Sequence, residues 1–177
     1  MVSWSRHFRV RIALGTDRAS AAPMANRNAD ELLQPADRSV PLQARVLVTE
    51  DNAAMRHLMA DVLQNEGYFV AEAADAFEMQ SAILDFSLER PHQEPFDLIV
   101  SDVFMPGKSG LAALTEMRRS GLSSRFLVVT TFPDADTYHR IEELDVRLLV
   151  KPFSLREFRD VTTELLHSPV PKLERTL

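Results

Sequence analysis

The sequence contains no cysteine, which excludes a disulfide framework, thiolate catalysis and a cysteine-held zinc site. Glycine is scarce as well, five residues in 177. None of the five falls into a GxxxxGKS/T or GxGxxG pattern, so the usual glycine-rich cradle for nucleotide phosphates is missing. Positive charge is in deficit: 20 Lys and Arg stand against 26 Asp and Glu, for a formal charge of -6 and a pI near 5.4. That balance lacks the basic face nucleic acid demands, and direct nucleic-acid binding is not expected. Long apolar runs are absent too. None approaches the length of a bilayer span, and Arg9 and Arg11 interrupt the nearest candidate. The chain reads as soluble and cytoplasmic, with no membrane partner.

What is present suffices for one packed domain, since 45% of the residues are hydrophobic and 26% charged. Residues 1–41, rich in Ala, Arg, Ser, Asn and Pro, keep no apolar period for long and read as a disordered extension. Arg6, Arg9, Arg11 and Arg18 would suit a docking or targeting segment; a start at Met24 would remove most of the stretch. The domain is expected over 42–168, followed by a short Pro-containing tail at 169–177.

Within that domain, short apolar runs alternate with longer amphipathic segments. ARVLVTE, YFVAEAA, FDLIVSD, RFLVVTT and VRLLV read as strands. Between and after them AAMRHLMADVLQNEG, AFEMQSAILDFSLE, LAALTEMRRSG, ADTYHRIEEL and SLREFRDVTTELLH read as helices, the first closed by Gly67. Five strands and five helices in strict alternation predict an α/β fold, a doubly wound parallel sheet with right-handed crossovers and helices on both faces.

In such sheets ligands bind beyond the carboxyl ends of the strands. The residues found there are Glu50 and Asp51 after RVLVT, Asp102 after LIVS, Thr130 and Thr131 after LVV, and Lys151 after RLLV. Three carboxylates on one rim repel one another unless a cation neutralises them. An oxygen-only set that leaves room for water suits Mg²⁺. With no phosphate loop, phosphate would be held by metal, Lys151 and a hydroxyl, and a central carboxylate could itself attack phosphorus to give an acyl phosphate.

Each residue alone has an ordinary explanation. Asp102 could be a turn acid before Pro106-Gly107, Thr130 a β-branched strand residue, and Lys151-Pro152 the start of a loop. Glu50-Asp51 could cap the next helix, with Asp51 or Asn52 accepting backbone N–H groups. His57, His92, His139 and His167 are scattered without metal-ligand spacing and read as surface or packing residues.

As a set, Glu50-Asp51, Asp102 with Met105-Pro106-Gly107, Thr130 and Lys151-Pro152-Phe153 resemble, in order and approximate spacing, a response regulator receiver domain of the stand-alone type. The resemblance covers roughly residues 44–167. It implies a five-stranded flavodoxin-like sheet of order 2-1-3-4-5. It implies further that Asp102 is the phosphoacceptor, that Asp51 binds Mg²⁺ directly and Glu50 partly through water, and that the main-chain carbonyl of Phe104 adds a ligand. Thr130 would be the switch hydroxyl, Lys151 the cation bonded to the phosphoryl group, and the bond before Pro152 cis.

Three positions depart from the family pattern. Leu148 stands where an aromatic residue usually rotates, so a simple aromatic switch is not expected. Thr131 replaces a small residue, which would narrow the approach to Asp102 and slow phosphoryl transfer or hydrolysis. The run Glu143-Leu144-Asp145-Val146 replaces a Gly-Ala pair before the fifth strand, making the surface near the fourth helix unusual.

The resemblance thus implies a donor, either a histidine kinase or a histidine phosphotransfer protein, and a downstream protein target on the face of the fourth helix, fifth strand and fifth helix. About ten residues after the last helix are too few for an output domain, so signalling by protein binding is the expectation. The same face would serve a homodimer, though no residue selects that. Catalysis would be limited to phosphorylation and hydrolysis of Asp102 itself, so the chain is not expected to be an enzyme acting on an external substrate. The alternatives are a degenerate receiver working as a phosphate-independent interaction module and, with less support, a Mg²⁺-dependent phosphohydrolase.

Overall fold

The computed structural model describes residues 44–89 and 93–168. The expected extension at 1–41, the tail at 169–177 and His92 lie outside the described residues.

Strands and helices alternate in the order β1 (Arg45–Thr49), α1 (Ala53–Asn65), β2 (Phe69–Ala73), α2 (Ala76–Glu89), β3 (Leu98–Asp102), α3 (Gly110–Arg119), β4 (Arg125–Thr130), α4 (Ala135–Glu143), β5 (Arg147–Val150) and α5 (Leu155–His167). Every strand pairing is parallel and the sheet order is β2-β1-β3-β4-β5. The first connection therefore runs outward on one side of β1 and the later ones on the other. That reversal creates a crevice between the ends of β1 and β3.

Alternation along the strands separates two apolar cores. Val46, Val48, Val70, Leu98, Val100, Leu127, Val129 and Leu149 pack with Met59, Ala60 and Leu63 of α1 and Phe158 of α5. Leu47, Ala71, Ile99, Phe126 and Val128 face the other way, against Met79 and Ala82 of α2, Leu114 and Met117 of α3 and Ile141 of α4. With both faces covered, the strands must be apolar almost throughout, as the sequence shows.

The helices start at the rim because each is given an acceptor for its unpaired N–H groups. The side chains of Asn52, Ser109, Asp134 and Ser154 accept from Met55, Ala112, Thr137 and Glu157 respectively. Asp75 accepts from Phe77 and Glu78, while Glu78 reaches back to the N–H of Ala74, a reciprocal cap on α2. At the far ends, α1 and α3 finish on glycines in the left-handed region, Gly67 and Gly121, whereas α4 finishes on Asp145 at φ 48°.

Candidate functional site

The strand ends deliver their polar residues to one rim. Glu50, one residue past β1, is almost completely buried, and its N–H donates to the carbonyl of Ala73 at 3.2 Å, extending the β1–β2 ladder. Asp102 ends β3 and is also buried. Lys151 follows β5, its own N–H donating to the carbonyl of Thr130 at 2.7 Å, so the β4–β5 ladder holds the root of the lysine. The Lys151–Pro152 peptide is cis, as the resemblance implied.

From that root the Lys151 ammonium lies 2.6 Å from Glu50 Oε2 and 2.6 Å from Asp102 Oδ2. Asp102 Oδ1 accepts the N–H of Phe104 at 2.9 Å. Glu50 Oε1 accepts the N–H of Asn52 at 3.3 Å. Burial pushes the Glu50 carboxyl above the ordinary range, and Lys151 only partly offsets it. For Lys151, burial alone would lower the pKa, but hydrogen bonds and charge from Asp102 and Glu50 together outweigh it and hold the ammonium above its usual value. The lysine is thus a committed cation between two acids.

Asp51 stands beside them, exposed. One carboxylate oxygen from each of Glu50, Asp51 and Asp102 can be chosen so that all lie within 4.8 Å of one another. That spacing and the purely oxygen donor set fit a hard divalent cation keeping part of its hydration shell, as Mg²⁺ does.

The loop after β3 explains Pro106-Gly107. Met105 turns back into the core, and Gly107 takes φ 83°, a conformation costly for a residue with a side chain. The chain then enters α3 at Gly110, whose N–H donates to the carbonyl of Val103 at 3.2 Å. A Cβ on Gly110 would sit 2.2 Å from the Asp102 carbonyl oxygen and 2.5 Å from Ser101 Oγ. Helix α3 is therefore seated directly against the end of β3.

Thr130 is fully buried at the end of β4, and its hydroxyl has no hydrogen-bond partner among the described residues. Thr131 is exposed, as are its neighbour Phe132 and, across the rim, Phe104. Leu148 is half-buried against the core on the α2–α4 side.

Of the residues predicted from strand ends, Glu50, Asp51, Asp102 and Lys151 come together here, while Thr130 ends the adjoining strand β4 and Thr131 is exposed beyond it. Asn52, not Asp51, caps α1, which leaves the Asp51 carboxylate unspent on capping. Two residues escaped the sequence reading, Arg56 and Glu72. The Arg56 guanidinium lies 3.6 Å from the Glu72 carboxylate and donates at 2.5 Å to the carbonyl of Glu50. The available signal was the acid itself: Glu72 interrupts the apolar run of a strand in which Val70, Ala71 and Ala73 are buried.

Comparison with known proteins follows the same outline. The family model described as the response regulator receiver domain matches residues 46–163. The chain is 36% identical over 124 residues to the transcriptional regulatory protein PdtaR of Mycobacterium tuberculosis, a match covering 69% of this chain and 55% of that protein. It thus spans about half the length of that relative. It is 26% identical over 126 residues to sporulation initiation phosphotransferase F of Bacillus subtilis, covering 71% of this chain and 95% of that one. Among solved structures, the chemotaxis protein CheY4 of Vibrio cholerae superposes with a TM-score of 0.59 at 26% identity over 70% of this chain and 98% of that chain. The non-phosphorylated HemR receiver domain of Leptospira biflexa gives 0.63 at 25% identity, covering 73% and 98%.

Proposed function

This chain belongs to the response regulator receiver family, and from that premise we propose that it is a single-domain response regulator whose Asp102 accepts a phosphoryl group from the phosphohistidine of a histidine kinase or phosphotransfer protein. An Asp102 carboxylate oxygen forms the new O–P bond as the P–N bond breaks, and the electron pair leaves with the imidazole nitrogen. The observation that carries this reading is the Lys151 ammonium placed at 2.6 Å from both Asp102 and Glu50. A cation so placed orients the nucleophile and then meets the charge that arrives on the phosphoryl oxygens.

Asp51, Asp102, the carbonyl of Phe104 and, through water, Glu50 would hold Mg²⁺, and no other group among the described residues suits it better. Bound there, Mg²⁺ supplies neutralising charge for the acid cluster and the phosphoryl oxygens. The hydroxyl of Thr130, unpartnered among the described residues, could bond a phosphoryl oxygen without first breaking a hydrogen bond to any of them. Movement of Thr130 toward the rim would alter the α4–β5–α5 surface, which a protein target reads. Receiver-sized proteins exist as separate chains: phosphotransferase F is matched over 95% of its length. No helix among the described residues is long and apolar enough to cross a membrane, which agrees with a cytoplasmic site of action. Chemistry is confined to phosphorylation and hydrolysis of Asp102.

The test is incubation with a small phosphodonor and Mg²⁺, native chain against Asp102→Asn, resolved on a phosphate-retarding gel. Acid-stable, alkali-labile label in the native chain alone supports the reading. No label in a folded native chain would favour a phosphate-independent binding module, and continuous turnover of a phosphoester would favour a hydrolase.

A further inference from the structure

Behind the acid pair lies a second set of charges that the proposed chemistry does not use. Glu72 sits in the edge strand β2 with its side chain buried, and its Oε1 has no hydrogen-bond partner among the described residues. Two groups on α1 face its other oxygen, the Arg56 guanidinium Nε at 3.6 Å and the His57 imidazole Nε2 at 3.4 Å. Burying a carboxylate in a strand is expensive, and a buried pair offers little stability over an apolar replacement. The arrangement calls for a reason beyond packing.

The other end of the guanidinium supplies it. Arg56 Nη1 donates to the carbonyl of Glu50 at 2.5 Å and approaches that of Asp51 at 3.4 Å. One flat, rigid group therefore spans from a buried anchor on β2 to two successive main-chain carbonyls of the metal-binding turn. Pinning both carbonyls fixes the peptide plane between Glu50 and Asp51, and with it the directions in which the two carboxylates leave the chain. The same turn is tied to β2 by the Glu50 N–H to Ala73 carbonyl bond and to α1 by the Asn52 cap. Arg56 is only 14% exposed at its side chain, unusual for an arginine in the first turns of a surface helix.

We propose that Arg56, anchored by Glu72, is a positioning residue for Mg²⁺: it acts through the main chain of Glu50 and Asp51 to preset the acid pair, without touching metal or phosphoryl group. The inference rests on the receiver reading given above. Groups that orient metal ligands from behind contribute on the order of 10-fold or more to metal affinity.

The experiment uses the full chain and measures Mg²⁺ binding by titration calorimetry, with urea unfolding alongside. Arg56→Met keeps the aliphatic stem and removes both charge and donors. Its Mg²⁺ dissociation constant is expected to rise about 10-fold, and the Mg²⁺ needed for half-maximal labelling to rise by the same factor. Arg56→Lys, with a point charge that cannot span anchor and carbonyls together, recovers only part of the loss. The double variant Arg56→Met with Glu72→Met removes the buried acid that has lost its guanidinium and restores stability while Mg²⁺ affinity stays low. If Arg56→Met binds Mg²⁺ as the native chain does, or if the double variant regains affinity along with stability, the positioning role is overturned and the pair is structural only. A native chain that binds no Mg²⁺ would overturn the inference together with the metal reading. A native chain that binds Mg²⁺ and takes no label on Asp102 would sink the phosphoacceptor reading and leave the positioning result standing.

Discussion

Lys151 bridges from the end of β5 to Asp102 at the end of β3, 2.6 Å from Oδ2, and the same ammonium meets Glu50 at 2.6 Å. A single cation therefore holds together two acids that would otherwise repel. Removing it with Lys151→Ala leaves both buried carboxylates uncompensated. The expected loss is about 3 kcal/mol, read by urea unfolding without divalent metal, with part regained on adding Mg²⁺ because binding favours the folded state. Equal stability in the two chains would contradict the bridge as drawn.

Thr130 makes the opposite prediction. Its buried hydroxyl has no partner among the described residues, and an unsatisfied buried hydroxyl costs about 1–3 kcal/mol. Thr130→Val, nearly the same shape, should match the native stability or exceed it by about 1 kcal/mol. The variant should still take label at Asp102 and yet lose the phosphorylation-dependent change in amide exchange across α4 and β5. A destabilised variant with a normal response would place the hydroxyl's role elsewhere.

Gly110 is demanded by contact. A Cβ there would lie 2.2 Å from the Asp102 carbonyl oxygen, a main-chain atom, and 2.5 Å from the hydroxyl of the buried Ser101. Gly110→Ala is expected to cost about 3 kcal/mol as α3 is pushed off β3, and to slow labelling because the main chain of Asp102 moves with it. Urea unfolding and a labelling time course read the two effects separately.

Asp145 ends α4 at φ 48°, a region that costs a residue with a Cβ about 1 kcal/mol or more. Asp145→Gly should therefore raise stability, by up to about 1 kcal/mol, less whatever attraction Asp145 exerts on Arg118. A lower melting temperature would show that the attraction outweighs the backbone strain.

How much of this could be read in advance follows from what a linear pattern encodes. Alternating apolar runs mark strands and helices, and the parallel order then forces the last residue of each strand to one rim. Glu50, Asp102, Thr130 and Lys151 were legible for that reason alone. Asn52 rather than Asp51 as the cap was not, since both residue types satisfy the same N–H. Arg56 was hidden because a guanidinium six residues past Glu50 is a surface charge in any helical pattern until its reach back over the turn is seen. Gly110 likewise carries no local signal: its reason is a carbonyl eight residues earlier. At Asp145 the family pattern showed a departure, and the left-handed backbone shows what it costs.

The most direct test of the phosphoacceptor is to locate the modified residue. The native chain, phosphorylated by a small donor with Mg²⁺, is reduced with borohydride, which converts an aspartyl phosphate to homoserine, then digested and sequenced by mass spectrometry. The account predicts homoserine at position 102 and at no other acid, and none in Asp102→Asn. Homoserine at another acid, with position 102 unchanged, would contradict it.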